Sequence, residues 1–285
     1  VRRFLLPVIM LLTSMIVIPG TASATVLPDL SPLGANDWDC KPSAEHPRPV
    51  VLVHGITATM ATNWITLSPL LKKHGYCVFA LNYGQKPELP GVGGLLPVEE
   101  SAAQLGTFVD EVLRKTGAST VDIVGHSEGS LMPSYWVEYL GGAAKITHYV
   151  GLTPLWRGTN AFELRTLRAV AKAFAPAWLA KVSATCQSCG ELVMGSAFLA
   201  KIAARLPMPG VRYTSIRTIY DLGIQPHSSA ILAGADNIVL QDGCPGDLVG
   251  HAGAAIDPRV GGYVLNALDA DHPVKVPCVP QYLLP

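Results

Sequence analysis

The sequence predicts an α/β fold: a mostly parallel central sheet flanked by helices, with a helical insert in its second half. Three observations predict it. Short β-branched runs such as "PVVLVHG" recur and stop at glycine or a turn, as buried parallel strands do. Helix-patterned segments stand between them, so strand and helix alternate from residue 49 to 154. The alternation then breaks over 157–207, where the residues are helix-like, apolar and often small.

Taken in order, residues 25–48 are polar and proline-bearing and read as an irregular lead-in. "PVVLVHG" (49–55) is the first strand, ended by Gly55. "NWITLSPLLKKHG" (63–75) has helical spacing and a glycine stop. "YCVFALNYG" (76–84) is a strand and "LPGVGGLLP" (89–97) a loop. "VEESAAQLGTFVDEVLRKTG" (98–117) is a long amphipathic helix, with acids early and bases late as the helix dipole prefers. A strand over 120–126, a helix over 129–142 and a strand over 146–154 follow. After the insert, "GVRYTSIRTIYD" (210–221) and "NIVLQD" (237–242) resume the strands, and 257–269 is a late helix. The insert is expected over the strand ends, as a cap.

The first residues read differently. Arg2 and Arg3 precede a nearly unbroken apolar run from Phe4 to Ile18, and Ala22-Ser23-Ala24 follows. That is the pattern of a secretory signal peptide over 1–24, leaving a single domain over 25–285. The run is short for a membrane-spanning helix, which needs about 20 residues. Export makes an extracellular location the expectation, with no stable membrane-spanning segment after cleavage. Lys+Arg and Asp+Glu both number 21, which argues against a nucleic-acid partner, since phosphate binding needs clustered cations. The six cysteines are Cys40, Cys77, Cys186, Cys189, Cys244 and Cys278. An even count in an oxidising compartment suggests three disulfides. Cys186 and Cys189 are close enough to pair locally, and no zinc-ligand or redox context surrounds them. Oligomeric state is not legible in these patterns.

The chemistry is concentrated in "VDIVGHSEGS" (121–130). Gly125 and Gly129 bracket Ser127 between an apparent strand and a helix, which forces a sharp turn and projects the hydroxyl. A serine needs a base, and the base needs a carboxylate to hold its tautomer. On a sheet of this kind the acid and then the histidine follow the serine along the chain. His148 lies inside a strand and reads as packed, and His272 reads as surface loop. His227 competes with His251, which sits in the Gly-flanked loop "GDLVGHAG" before the last helix. Asp221 ends an apparent strand, where ligands gather in such sheets; Asp236, Asp242 and Asp247 are alternatives. The developing oxyanion needs two backbone N–H donors: one from Glu128, after the nucleophile, and one from Ile56, in the loop after the first strand. A charged Glu128 would also raise the pKa of the base. This acyl transfer requires no metal or cofactor.

With these parts in place, the chain resembles the secreted bacterial class 2 lipases of the α/β-hydrolase superfamily and, more distantly, is similar to the fungal lipase B type. The residues that carry the resemblance are "VVLVHGITATMATNWITLSPLL", "YCVFALNYG", "VDIVGHSEGS", "YTSIRTIYDLGIQP" and "VLQDGCPGDLVGHAG". The resemblance implies Ser127 as nucleophile, Asp221 as acid and His251 as base, with the N–H groups of Ile56 and Glu128 as oxyanion donors. It also implies the pairs Cys40–Cys77 and Cys244–Cys278, which leaves Cys186–Cys189. Two departures stand out: Glu128 where Gln or Met is more usual, and Leu222-Gly223 where an acid and a bulky apolar residue are common. The expected function is secreted hydrolysis of carboxylic esters of lipids, chiefly acylglycerols, possible at a lipid–water interface. A polyester hydrolase or an acyltransferase would share every motif, whereas a non-catalytic relative would lack a triad member. In and beside the insert, Trp156, Phe162, Leu164, Leu167, Phe174, Trp178 and Leu179 either face lipid or acyl chain, or pack a helical subdomain.

Overall fold

A computed structural model describes residues 30–281. The expected leader over 1–24 lies outside the described residues. Six strands form one sheet: β1 (Val50–Val53), β2 (Val78–Leu81), β3 (Val121–His126), β4 (Ile146–Leu152), β5 (Arg212–Arg217) and β6 (Asp236–Val239). Their order is β2-β1-β3-β4-β5-β6, and every neighbouring pair is parallel. The chain therefore builds outward from β1 to β2, returns to β3, and continues the other way. The turns after β1 and β3, on either side of that reversal, come together, which is where doubly wound sheets place their sites.

Both faces of the sheet are covered, which is why the strands read as unbroken apolar runs. On one face Val51, Val53, Phe79, Leu81 and Ile123 pack against α3 (Val98–Thr116) and α4 (Met132–Tyr139). On the other, Val50, Leu52, Val78, Ala80 and Val124 pack against α2 (Leu67–Lys73) and α8 (Pro258–Leu268). A short helix, α1 (Met60–Asn63), precedes α2. Helix α3 keeps the expected charge order and ends on Gly117, whose φ of 77° permits the left-handed cap. Among the described residues no helix is long and apolar enough to cross a membrane.

Two expectations need correction. The strand expected to reach Asp221 stops at Arg217, because the Thr218 hydroxyl donates to the Val249 carbonyl at 2.7 Å and accepts the Tyr220 N–H at 3.1 Å, turning the chain out of the sheet. Asp221 thus stands on a loop beyond the strand end. The helix expected from Gly129 starts at Met132; Ser127–Ser130 form a tighter 3-10 turn first.

The insert contains α5 (Leu164–Phe174), α6 (Pro176–Thr185) and α7 (Ala197–Ala203). Trp156, just ahead of it, belongs to the core: it meets Tyr149 edge-on and donates to the Ser215 hydroxyl at 3.3 Å. Leu164, Leu167, Phe174 and Trp178 are exposed and Leu179 is half-buried, so α5 and α6 do not pack a core of their own. All six cysteines are bridged, as Cys40–Cys77, Cys186–Cys189 and Cys244–Cys278. The Cys186–Cys189 turn anchors the insert. Its Gln187 N–H donates to Leu95 O at 2.8 Å, and its Ser188 hydroxyl to Gly94 O at 2.5 Å.

Candidate active site

The turn after β3 is as tight as its glycines suggest. Ser127 has φ +55°, a left-handed conformation that costs energy for any residue with a side chain. A Cβ on Gly125 would lie 1.9 Å from the carbonyl oxygen of Gly129, and one on Gly129 would lie 2.1 Å from that of Val53. Neither position admits a side chain. The two glycines let the chain reverse directly above β1 and hold the Ser127 hydroxyl at the sheet's edge.

The structure brings Ser127, His251 and Asp221 together. Ser127 Oγ is 2.9 Å from His251 Nε2. His251 Nδ1 is 3.0 Å and 3.1 Å from the two carboxylate oxygens of Asp221. Asp221 is buried, and its Oδ1 also accepts the Ile224 N–H at 2.7 Å. The carboxylate is thus fixed by its own loop and receives Nδ1–H, leaving Nε2 as the acceptor that faces the serine.

The alternatives stand elsewhere. His227 turns to Arg217, 3.1 Å away. His148, on β4, pairs with Asp122 at 3.1 Å, and His272 is exposed beside Asp269. Asp236 and Asp242 are exposed. Asp247 is buried in an ion pair with Arg259 at 3.4 Å and accepts the Val249 N–H at 3.2 Å, so it braces the loop that carries His251.

Two further contacts hold His251, and motif reading missed both. A Cβ on Gly223 would lie 2.7 Å from two carbons of the His251 ring, so the glycine makes room for the base. His126, the residue before the nucleophile, is buried, and its Nε2 lies 3.1 Å from the His251 carbonyl. Its Nδ1 lies 3.0 Å from Asn63 Oδ1, which accepts the Gly55 N–H at 3.1 Å. Burial foremost, and then the His251 ring, push the His126 pKa down to about 3. The ring is therefore neutral and donates to one of its two acceptors at a time. His126 stands inside the very motif that names the serine, and a polar ring in so tight a turn was the available signal.

A cleft of about 460 Å³ opens beside the serine, lined by Ile56, Thr57, Ser127, His251, Ala252 and Ala255 among others. Ile56, in the loop after β1, lines this cleft, and Glu128 is the residue after the serine. The Glu128 side chain does not tune the histidine and does not reach solvent. It is fully buried on the far side of the turn, its Oε2 over Gly94, where a Cβ would come within 2.4 Å. Burial, and then the nearby Glu191 carboxyl, raise its pKa well above the ordinary 4.5; the Ser188 hydroxyl, committed to Gly94 O, opposes this only weakly. The side chain is a neutral acid, and the expected charge beside the base is absent. Among the described residues no group of three His, Cys, Asp or Glu is placed to hold a metal ion.

Residues 47–242 match the family described as Lipase (class 2). Triacylglycerol lipases of Pseudarthrobacter phenanthrenivorans and Burkholderia plantarii are each 33% identical to the chain over 92 residues. That stretch is 30% of this chain and 27% and 24% of theirs. The chain thus spans about a quarter of the length of these curated relatives. Among solved structures, Aspergillus fumigatus lipase B is similar with a TM-score of 0.64 at 19% identity, over 85% of this chain and 56% of that one. The mature form of Bacillus licheniformis lipase BlEst2 is similar with a TM-score of 0.53 at 16% identity, over 79% and 92%. At such identities the likeness concerns the fold alone.

Proposed function

The chain belongs to the class 2 lipase family, and on that footing we propose that it is a secreted serine carboxylester hydrolase acting on lipid esters, chiefly acylglycerols. The observation that carries the proposal is the unbroken relay from Ser127 Oγ through His251 to Asp221, at 2.9 Å and 3.0 Å. His251 Nε2 takes the serine proton as Oγ attacks the ester carbonyl carbon. The carbonyl oxygen becomes an oxyanion and receives the N–H groups of Ile56 and Glu128. Collapse breaks the ester C–O bond, and Nε2–H protonates the departing alcohol. Water, activated by the same nitrogen, then releases the acid and restores the serine. Asp221 keeps its hydrogen bond to Nδ1–H and stabilises the imidazolium. The neutral, inward Glu128 offers the oxyanion its backbone without setting a negative charge beside it.

Secretion is supported by the basic-then-apolar start and small-residue motif of 1–24, and by the three bridges. The proposed organisation is a leader over 1–24, one α/β-hydrolase domain over 25–285, and the 157–207 insert as its cap. Hydrolysis of p-nitrophenyl esters of graded chain length, with a Ser127→Ala control, tests the activity. Turnover is expected to vanish in the control, and undiminished turnover refutes the mechanism. Comparing His251→Ala with His227→Ala tests the base: loss in the second alone would overturn the assignment. An N-terminus of the exported protein far from Thr25 would contradict the cleavage site.

A further inference from the structure

Helices α5 and α6 hold apolar side chains in the open. Neither helix has a buried residue. Phe174 is 85% exposed and Trp178 55%, and Leu164, Leu167, Val170 and Val182 are exposed with them. On α5, Leu164, Leu167, Ala171 and Phe174 recur at three- and four-residue spacing and share one face. Arg165, Arg168 and Lys172 repeat that spacing one position on, which sets a basic stripe beside the apolar one.

Charge is the second observation. The chain as a whole balances 21 cations with 21 acids, yet residues 163–185 contain Arg165, Arg168, Lys172 and Lys181 against the single carboxylate of Glu163. Arg165, Arg168 and Lys172 line a cleft of about 630 Å³ shared with Ser183 and Ser196. The carboxyl that lines it, Glu191, is pushed toward its neutral form, chiefly by burial. An acylglycerol has no charge, so this stripe has no counterpart in the substrate proposed above.

We propose that the α5–α6 pair docks the protein on an anionic phospholipid surface: the apolar face enters the acyl boundary while Arg165, Arg168, Lys172 and Lys181 meet headgroup phosphates. Phe174 and Trp178 supply the inserted area, and the cations supply the preference for negative charge. Docking rests on these helices and not on the Ser127 relay, so the two readings stand or fall separately.

Co-sedimentation with vesicles tests it, using the Ser127→Ala protein so that hydrolysis cannot alter the surface. One set of vesicles is phosphatidylcholine; the other contains two parts phosphatidylcholine to one of phosphatidylglycerol. Binding is expected to favour the anionic vesicles by on the order of 100-fold or more and to fall with added salt. The variant Arg165→Gln/Lys172→Gln/Lys181→Gln is expected to lose roughly fivefold per cation, about 100-fold in all. It spares Arg168, whose guanidinium donates to Gly190 O at 2.6 Å and so helps hold the insert. Phe174→Ser is expected to weaken binding to the same vesicles. Both sets of changes, placed in the active chain, leave hydrolysis of a soluble short-chain ester unchanged, which reports an intact fold. Equal uptake by both vesicle types, no uptake by either, or a triple variant that binds like its parent overturns the proposal. Self-association abolished by Phe174→Ser, with vesicles unbound, would also overturn it and give the face to a second copy.

Discussion

Replacing Glu128 with Gln should stabilise the protein, and by an amount that grows with pH. In the folded chain the carboxyl is fully buried, with Glu191 and Tyr83 near it, and its pKa is raised well above 4.5. In the unfolded chain it ionises near 4.5. The native state therefore binds one more proton than the unfolded state over the range between the two pKa values. Stability contributed by this group is fullest below 4.5 and falls as pH rises, by about 1.4 kcal/mol per unit while native Glu128 stays protonated. The loss continues for as long as the pH stays between the unfolded value and the raised native one. Glutamine keeps the shape and the backbone N–H but releases no proton, so the variant escapes that slope. Urea unfolding of both proteins at pH 5, 6 and 7, with the disulfides intact, measures the difference. With an m-value on the order of 3 kcal/mol/M, the variant's midpoint should gain about 0.5 M on the parent for each pH unit over which native Glu128 stays protonated. A gap between midpoints that does not change from pH 5 to 7 refutes the reasoning. Ester hydrolysis by the variant should persist, because the proposed oxyanion donor is the main-chain N–H.

Other substitutions probe the mounting of the base. Gly223→Val sets atoms against the His251 ring, where a Cβ already lies at 2.7 Å; kcat/KM should fall on the order of 100-fold, with Gly223→Ala intermediate. Full activity in Gly223→Val would show that the ring is not held there. His126→Phe keeps the bulk but removes the nitrogen 3.1 Å from the His251 carbonyl. It should lower kcat by roughly 10-fold or more while KM stays within about twofold, since the change acts on alignment; an unchanged kcat counts against it. Arg259→Met strands the buried Asp247 carboxylate, its partner at 3.4 Å. Unfolding free energy should drop by about 3–5 kcal/mol, read from a urea midpoint, and a loss under 1 kcal/mol would show that the pair is not coupled.

Much of this architecture is legible in the sequence because burial on both faces leaves uninterrupted apolar strands. Val50–Val53 and Val121–His126 could be read almost to the residue. The nucleophile turn is legible for a different reason: steric exclusion at Gly125 and Gly129 tolerates no other residue, so the geometry is written as composition. Asp221 stands 3.0 Å from His251, on a loop beyond a strand that ends sooner than its local pattern suggests. The Thr218 hydroxyl ends that strand through a bond to Val249, 31 positions away, which no local pattern reports. The direction of Glu128 is not legible for a related reason. Its direction depends on the space above Gly94 and on the insert's Ser188, so a residue next to the serine in sequence belongs to a different environment in space. Gly223 looked like a departure from a family pattern, and only the position of the His251 ring turns it into a fit.

The Cys244–Cys278 bridge has a consequence for survival among proteases. It spans the His251 loop and the whole of α8, and just past it the Gln281 carbonyl accepts the Leu248 N–H at 2.9 Å. Residues 270–273, between α8 and the bridge, are exposed and are a natural place for a first cut. A chain nicked there remains one covalent molecule, because both fragments share the bridge. The piece that carries the serine also keeps His251 and α8, and the downstream piece cannot diffuse away from the loop it braces. Such a cut would show on a gel only after reduction, in a protein that could still be folded.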